Sequence, residues 1–200
     1  MSTKPIEIIV AATPRGEIGY RNTIPWRLKG DLRRFKELTM GNIVVMGKRT
    51  YESLPGPLEG RIVIIVSASM FKYSDYVEDE VHIVRSLAEA IELGQAMRRG
   101  SKIFIAGGVR NYEEALLWSN ITVQLTTVFQ EHELGYDAII SNFFLLDNFE
   151  LVGEPETVYF QGTDQVSHAY STMRGPKCLL KPLLEAATKV ASNPVNSYQK

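Results

Sequence analysis

The sequence has a single cysteine, Cys178, in 200 residues, which excludes an internal disulfide and a multi-cysteine zinc site. It also lacks any apolar run near the ~20 residues needed to span a bilayer. The Met-Ser-Thr-Lys-Pro start has no signal-peptide-like apolar stretch, so a reducing, cytoplasmic setting is expected. An excess of one charge is missing too. With 22 Lys plus Arg against 23 Asp plus Glu, the formal net charge is −1, which argues against a dedicated nucleic-acid binder. Histidine is scarce: His82, His132 and His168 have no metal-ligand spacing and no Ser-His-Asp or Cys-His arrangement, so no metal site is expected.

What is present suits one globular domain. The chain is 44% hydrophobic and 22% charged, and it is long enough to bury a substantial core. Its charge is unevenly spread. Residues 15–36 hold seven basic and two acidic residues, whereas residues 131–164 hold eight acidic residues and no Lys or Arg.

Ile6–Ala12 (IEIIVAA) reads as a strand covered on both faces, interrupted only by Glu7. Residues 42–46, 61–66, 81–84, 102–106 and 121–129 repeat this apolar pattern and read as further buried strands. Residues 28–38, 49–54, 87–98 and 109–117 have helical character between them. This alternation predicts an α/β fold around a mostly parallel sheet, flanked by helices. Residues 151–160 and 166–173 are strand-like with no helix between, which predicts an antiparallel edge. From Pro176 onward, Leu180, Leu183, Leu184, Ala187 and Val190 recur at helical spacing, and residues 192–200 read as a frayed end.

Four places could carry chemistry. Asp31 sits beside an expected inward stripe of Leu28, Leu32, Phe35 and Leu38; it reads either as a partly desolvated carboxylate or as an acidic residue favoured in a first helical turn. Gly107-Gly108 lies between a strand and a helix, where it suits either a close phosphate approach or a tight turn. Gly47-Lys48-Arg49-Thr50 offers a second phosphate site or a solvated helix start. Arg61, after a Pro-rich loop, suits either a carboxylate or the open surface.

These segments, in this order, resemble the dihydrofolate reductase family. The resemblance is carried by Ile18-Gly19, Asn22-Thr23-Ile24-Pro25-Trp26 and Asp31-Leu32 with Phe35-Lys36. Val45-Met46-Gly47-Lys48-Arg49-Thr50-Tyr51-Glu52-Ser53, Gly60-Arg61, and Ile105-Ala106-Gly107-Gly108 with Tyr112 continue it. It implies an eight-stranded sheet, parallel except at its C-terminal edge, and the NADPH-dependent reduction of dihydrofolate to tetrahydrofolate. Asp31 is then the carboxylate that holds and polarises the pterin. Thr126 braces it, and Trp26 belongs to the same catalytic group. Ile9, Leu32, Phe35 and Leu54 wall the substrate, and Arg61 clamps its glutamate carboxylate.

The resemblance further implies that Gly107, Gly108, Val109 and Arg110 form the pyrophosphate turn, with a cis Gly-Gly peptide and with Ala106 and Tyr112 adjoining. Gly47, Lys48, Arg49 and Thr50 form a second phosphate turn, and Ser67 stands near the 2′-phosphate. Ala11, Ile18 and Gly19 line the nicotinamide, and Ile24 sits at the tip of a closing loop. Ala68 and Tyr136-Asp137 depart from the family pattern. Expected partners are dihydrofolate and antifolates, with no nucleic acid and no membrane. The expected assembly is a monomer of a 1–175 reductase domain, with a 176–200 extension that offers a route to self-association. A pyrimidine reductase of riboflavin synthesis and a non-catalytic docking protein are the competing readings; Asp31, Arg61 and the paired glycines together favour the reductase.

Overall fold

A computed structural model describes residues 3–69, 80–130, 135–158 and 166–176. In chain order the strands are β1 (Ile6–Ala12), β2 (Glu17–Gly19), β3 (Ile43–Gly47), β4 (Ile62–Val66), β5 (Val81–Val84), β6 (Ile103–Ile105), β7 (Thr122–Val128), β8 (Ala138–Ile139), β9 (Glu150–Leu151), β10 (Glu156–Val158) and β11 (His168–Arg174). The helices are α1 (Lys29–Thr39), α2 (Lys48–Glu52), α3 (Leu87–Ala96) and α4 (Val109–Ala115), with a 3-10 turn at Phe143–Asn148.

Eight strands form one path, β10-β11-β7-β1-β6-β3-β4-β5, and β9 pairs with β11 beside it. From β7 to β5 every neighbouring pair is parallel, while β11 runs against β7 and against β10. This is the expected mostly parallel sheet with an antiparallel C-terminal edge.

The apolar runs form central strands because both faces are covered, and period-2 alternation sends neighbours to opposite layers. Ile8, Val10, Ile43, Val45, Ile64 and Leu125 join one core with Leu87, Ala90, Tyr112 and Ala115. Val44, Met46, Val63 and Ile65 face the other way, against Phe35, Tyr51 and Leu54.

Several expectations need correction. Residues 81–84 are half-buried rather than buried, because β5 is the sheet's outer strand. The expected strand over 151–160 is split into β9 and β10, with Gly153 between them at φ +79°. Leu32 is 60% exposed and is not part of the inward stripe of α1, which begins one residue later than expected. The small β2–β8 sheet was not foreseen; it ties the loop after β1 to the segment after β7. The readings made for residues 177–200 lie outside the described residues.

Candidate active site

Because the strands from β7 to β4 are parallel, the C-terminal ends of β1, β3, β4 and β6 open along one edge of the sheet, where α/β folds place ligands. Thr13, Lys48, Ser67 and Ala106 are the first residues beyond those ends. Helix α1 crosses near this edge, anchored at its start by Trp26 and Leu28, which pack with Val128, Ala11 and Tyr136.

Asp31 lies in the first turn of α1, and Leu28 at the cap position makes no side-chain capping bond. Thr126 Oγ1, buried on β7, donates to Asp31 Oδ1 at 2.6 Å. The carboxylate is therefore held toward the sheet rather than left as a solvated helix-start charge. Nearby, Tyr112 is buried, and its hydroxyl donates to the Ile9 carbonyl at 2.9 Å. Burial pushes the Tyr112 phenol well above its ordinary range, and the negative charge of Asp31 adds to that.

The other pole of α1 holds a cation. Arg61 is 8% exposed, so the surface reading is excluded. Its Nε donates to the Glu59 carbonyl at 3.2 Å and its Nη1 to Thr39 Oγ1 at 3.4 Å, and its guanidinium lies 6.0 Å from the Phe35 ring centroid. Burial pushes Arg61 below the usual arginine range, opposed by the charge of Glu59. Asp31 and Thr39 are eight residues apart, about 12 Å along the helix axis. One helix thus separates an anchored carboxylate from a buried guanidinium, with Phe35 between them and Leu54 in the same apolar cluster.

The glycine turns after β3 and β6 meet. Gly47 N and Asn111 Nδ2 both donate to the Gly107 carbonyl, at 2.9 and 2.7 Å. The Gly107–Gly108 peptide is cis, as the resemblance implied. A Cβ on Gly107 would stand 3.0 Å from Thr50 Cγ2, and one on Gly108 3.2 Å from Thr50 Oγ1, both tighter than an ordinary contact, so any side chain here would press on Thr50. Around these turns are exposed Arg49 and Arg110, together with Lys48, which lies 3.6 Å from Glu52. Backbone N–H groups beside several cations form a donor set suited to a polyphosphate, and these residues fit a pyridine dinucleotide phosphate. Val109 opens α4, Ala106 packs against the Val44–Met46 layer, and Ser67 is buried with its hydroxyl 3.1 Å from Ser69 Oγ. On the opposite flank, Ile18 and Gly19 lie on β2, while Ile24 is 63% exposed.

One group of residues escaped the sequence reading. Arg34 Nη2 donates to Gln124 Oε1 at 2.8 Å, Gln124 Nε2 donates to Glu7 Oε2 at 2.9 Å, and Lys102 Nζ lies 2.5 Å from Glu7 Oε1. Glu7, the only charge in an apolar strand, was the signal that a buried polar partner existed.

A family model described as dihydrofolate reductase matches residues 5–172. Dihydrofolate reductase type 8 of Escherichia coli is 37% identical over 130 residues, covering 64% of this chain and 76% of its own. A bifunctional dihydrofolate reductase-thymidylate synthase of Paramecium tetraurelia is 35% identical over 116 residues, or 58% of this chain; the match spans only 24% of that longer protein. Among solved structures, a dihydrofolate reductase from Enterococcus faecalis, complexed with NADP(H) and RAB-propyl, superposes with a TM-score of 0.71. It is 23% identical, and the match covers 86% of this chain and 96% of that one.

Proposed function

The chain belongs to the dihydrofolate reductase family, and from that premise we infer that its cleft carries out the NADPH-dependent reduction of 7,8-dihydrofolate to 5,6,7,8-tetrahydrofolate. The observation that carries this reading is the pair of groups at the two ends of α1, a carboxylate braced by Thr126 and a buried arginine bonded to Thr39, with Asp31 and Thr39 about 12 Å apart along the helix axis. Dihydrofolate has the matching shape, with a hydrogen-bonding pterin at one end and a glutamate carboxylate at the other.

When bound, NADPH supplies the hydride that C6 of the pterin receives. Asp31 holds N3 and the 2-amino group by two charge-assisted contacts, and its negative charge favours protonation at N5, to which water brings the proton. Thr126 fixes the carboxylate's rotamer. Trp26 packs beneath the start of α1, while Ile9, Leu32, Phe35 and Leu54 line the substrate and Arg61 clamps its carboxylate. Gly107, Gly108, Val109 and Arg110 cradle the pyrophosphate, with Ala106 and Tyr112 supporting the turn. Gly47, Lys48, Arg49, Thr50 and Ser67 take the second phosphate region, and Ala11, Ile18 and Gly19 take the nicotinamide side.

Residues 1–175 are proposed as the catalytic domain, supported by the family match over 5–172, with an extension from residue 176. No helix among the described residues is long and apolar enough to cross a membrane. A monomer in the cytoplasm, open to antifolates in the same cleft, is the assembly and setting proposed.

The test is the loss of NADPH absorbance on adding dihydrofolate. Wild-type protein is expected to turn over, and Asp31→Asn to lose about 10²–10³-fold in kcat/KM while melting within a few degrees of wild type. Absence of wild-type turnover would overturn the function. Normal turnover by Asp31→Asn would overturn the assigned role.

A further inference from the structure

Arg34 follows Asp31 by three residues on α1, so the two side chains leave the helix on one face, toward the sheet. Each meets β7 through its own contact. Asp31 accepts from Thr126, and Arg34 donates to Gln124, two residues earlier on the same face of that strand. Gln124 is buried at 8% exposure and its amide orientation is fixed: Nε2 donates to Glu7, so Oε1 is left to accept from Arg34 and, at 3.0 Å, from Thr172 Oγ1. Glu7 is itself 5% exposed and paired with Lys102. The result is a line of alternating charge and dipole, Lys102–Glu7–Gln124–Arg34, buried at Glu7 and Gln124 and half-buried at its two cationic ends, that finishes beside Asp31. On its other flank, the Arg34 guanidinium stacks 5.0 Å from the Tyr170 ring centroid.

We propose that Arg34 is a positioning residue that keeps the substrate-binding carboxylate of Asp31 ionised, its charge held in place by the Gln124–Glu7–Lys102 line. The proposal rests on the reductase reading above. The bond to buried Gln124 and the stacking on Tyr170 hold the half-buried guanidinium on the Asp31 side of the helix, where its charge is less screened than that of a fully solvated arginine. Burial pushes Arg34 below the usual arginine range, and this is opposed first by Asp31 and then by Tyr170, Glu156 and Glu7. These groups, with Lys102 beside Glu7 and Tyr112 beside Asp31, are the titratable groups facing the pair from α1, β11, β10, β1, α4 and the residue just before β6.

The experiment measures the affinity of a 2,4-diaminopyrimidine antifolate across pH 4.5–8 in saturating NADPH, for wild type, Arg34→Met, Arg34→Gln and Arg34→Lys. Affinity falls on the acid side as the carboxylate takes up its proton. Removing the positive charge is expected to move that acid limb up by about half to one pH unit, a roughly three- to tenfold loss of affinity at the acid end. Arg34→Lys, which keeps the charge but not the fork, should stay nearer to wild type. Arg34→Gln, able to bond Gln124 without charge, serves where Arg34→Met fails to fold. An acid limb unmoved in the folded neutral variant would overturn the proposal, as would one moved equally by Lys. A purely structural role would lower affinity at every pH and leave the limb in place. The wild-type turnover assay is independent, so a failed reductase reading and a failed role for Arg34 give different results.

Discussion

At the scale of single residues, the site depends on charges held where they would be costly without a partner. Among the described residues Arg61 makes no ion pair, and its hydrogen-bond acceptors are the neutral oxygens of Glu59 and Thr39. A substrate carboxylate would supply the missing counter-charge in a largely desolvated setting. Arg61→Ala is expected to raise KM for dihydrofolate by about 10- to 100-fold, the value of one or two charge-assisted bonds, and to leave KM for NADPH within about twofold. Steady-state kinetics with each substrate varied separately checks this. Tyr112 gives a test in base. Its phenol remains protonated in the fold at a pH where the unfolded chain has begun to lose that proton, so stability falls as pH rises above about 10. Urea unfolding of Tyr112→Phe between pH 9 and 11.5 should show a shallower decline than wild type. The variant should also be about 1 kcal/mol less stable at neutral pH, for the lost bond to the Ile9 carbonyl.

At the scale of elements, α1 and the two glycine turns do most to shape the cleft. Asp31, Gly47 and Gly107-Gly108 were legible in the sequence, because a carboxylate beside an apolar stripe and paired glycines after an apolar run are local signals. The fate of Leu32 was not. Helical periodicity assigns a residue to a stripe, but how wide a stripe is covered depends on what packs over it, and here Leu32 remains 60% exposed. Nor did local pattern separate β5 from the central strands; VHIV is apolar enough for the interior but lies at the sheet's edge. The Gly107 turn supports a prediction at this scale. Its φ of +116° is one that L side chains rarely adopt, and a Cβ there would press on Thr50 at 3.0 Å. Gly107→Ala is therefore expected to cost about 1–3 kcal/mol in urea unfolding and to weaken NADPH binding more than dihydrofolate binding, read by fluorescence titration of each.

At the scale of the whole molecule, a net charge of −1 hides a division of labour. Lys48, Arg49 and Arg110 gather at the glycine turns and Arg61 at the far end of α1, where anionic groups of cofactor and substrate are proposed to bind. The acidic excess lies in residues 131–164. The catalytic unit should be separable from the tail. Gly175 N donates to the Ile121 carbonyl and Asn120 N to the Pro176 carbonyl, so the last of these contacts closes at residue 176. A chain ending at Pro176 is expected to keep its NADPH-dependent turnover within about twofold and its melting temperature within about 3 °C. Activity assay and calorimetry decide it; loss of folding would assign residues 177–200 to the domain itself.

The sequence by itself determined the class of fold, the order of its main strands and helices and the positions of the two glycine turns, because apolar runs, period and turn residues act over a few positions. It also marked Glu7 as out of place without naming its partner. Only the tertiary structure decided that Glu7 of β1, Gln124 of β7 and Arg34 of α1 share one hydrogen-bonded line, its partners separated by 117 and 90 residues along the chain. Such contacts are created when parallel strands are brought side by side, and no local pattern encodes which distant side chains will then lie within 3 Å of one another.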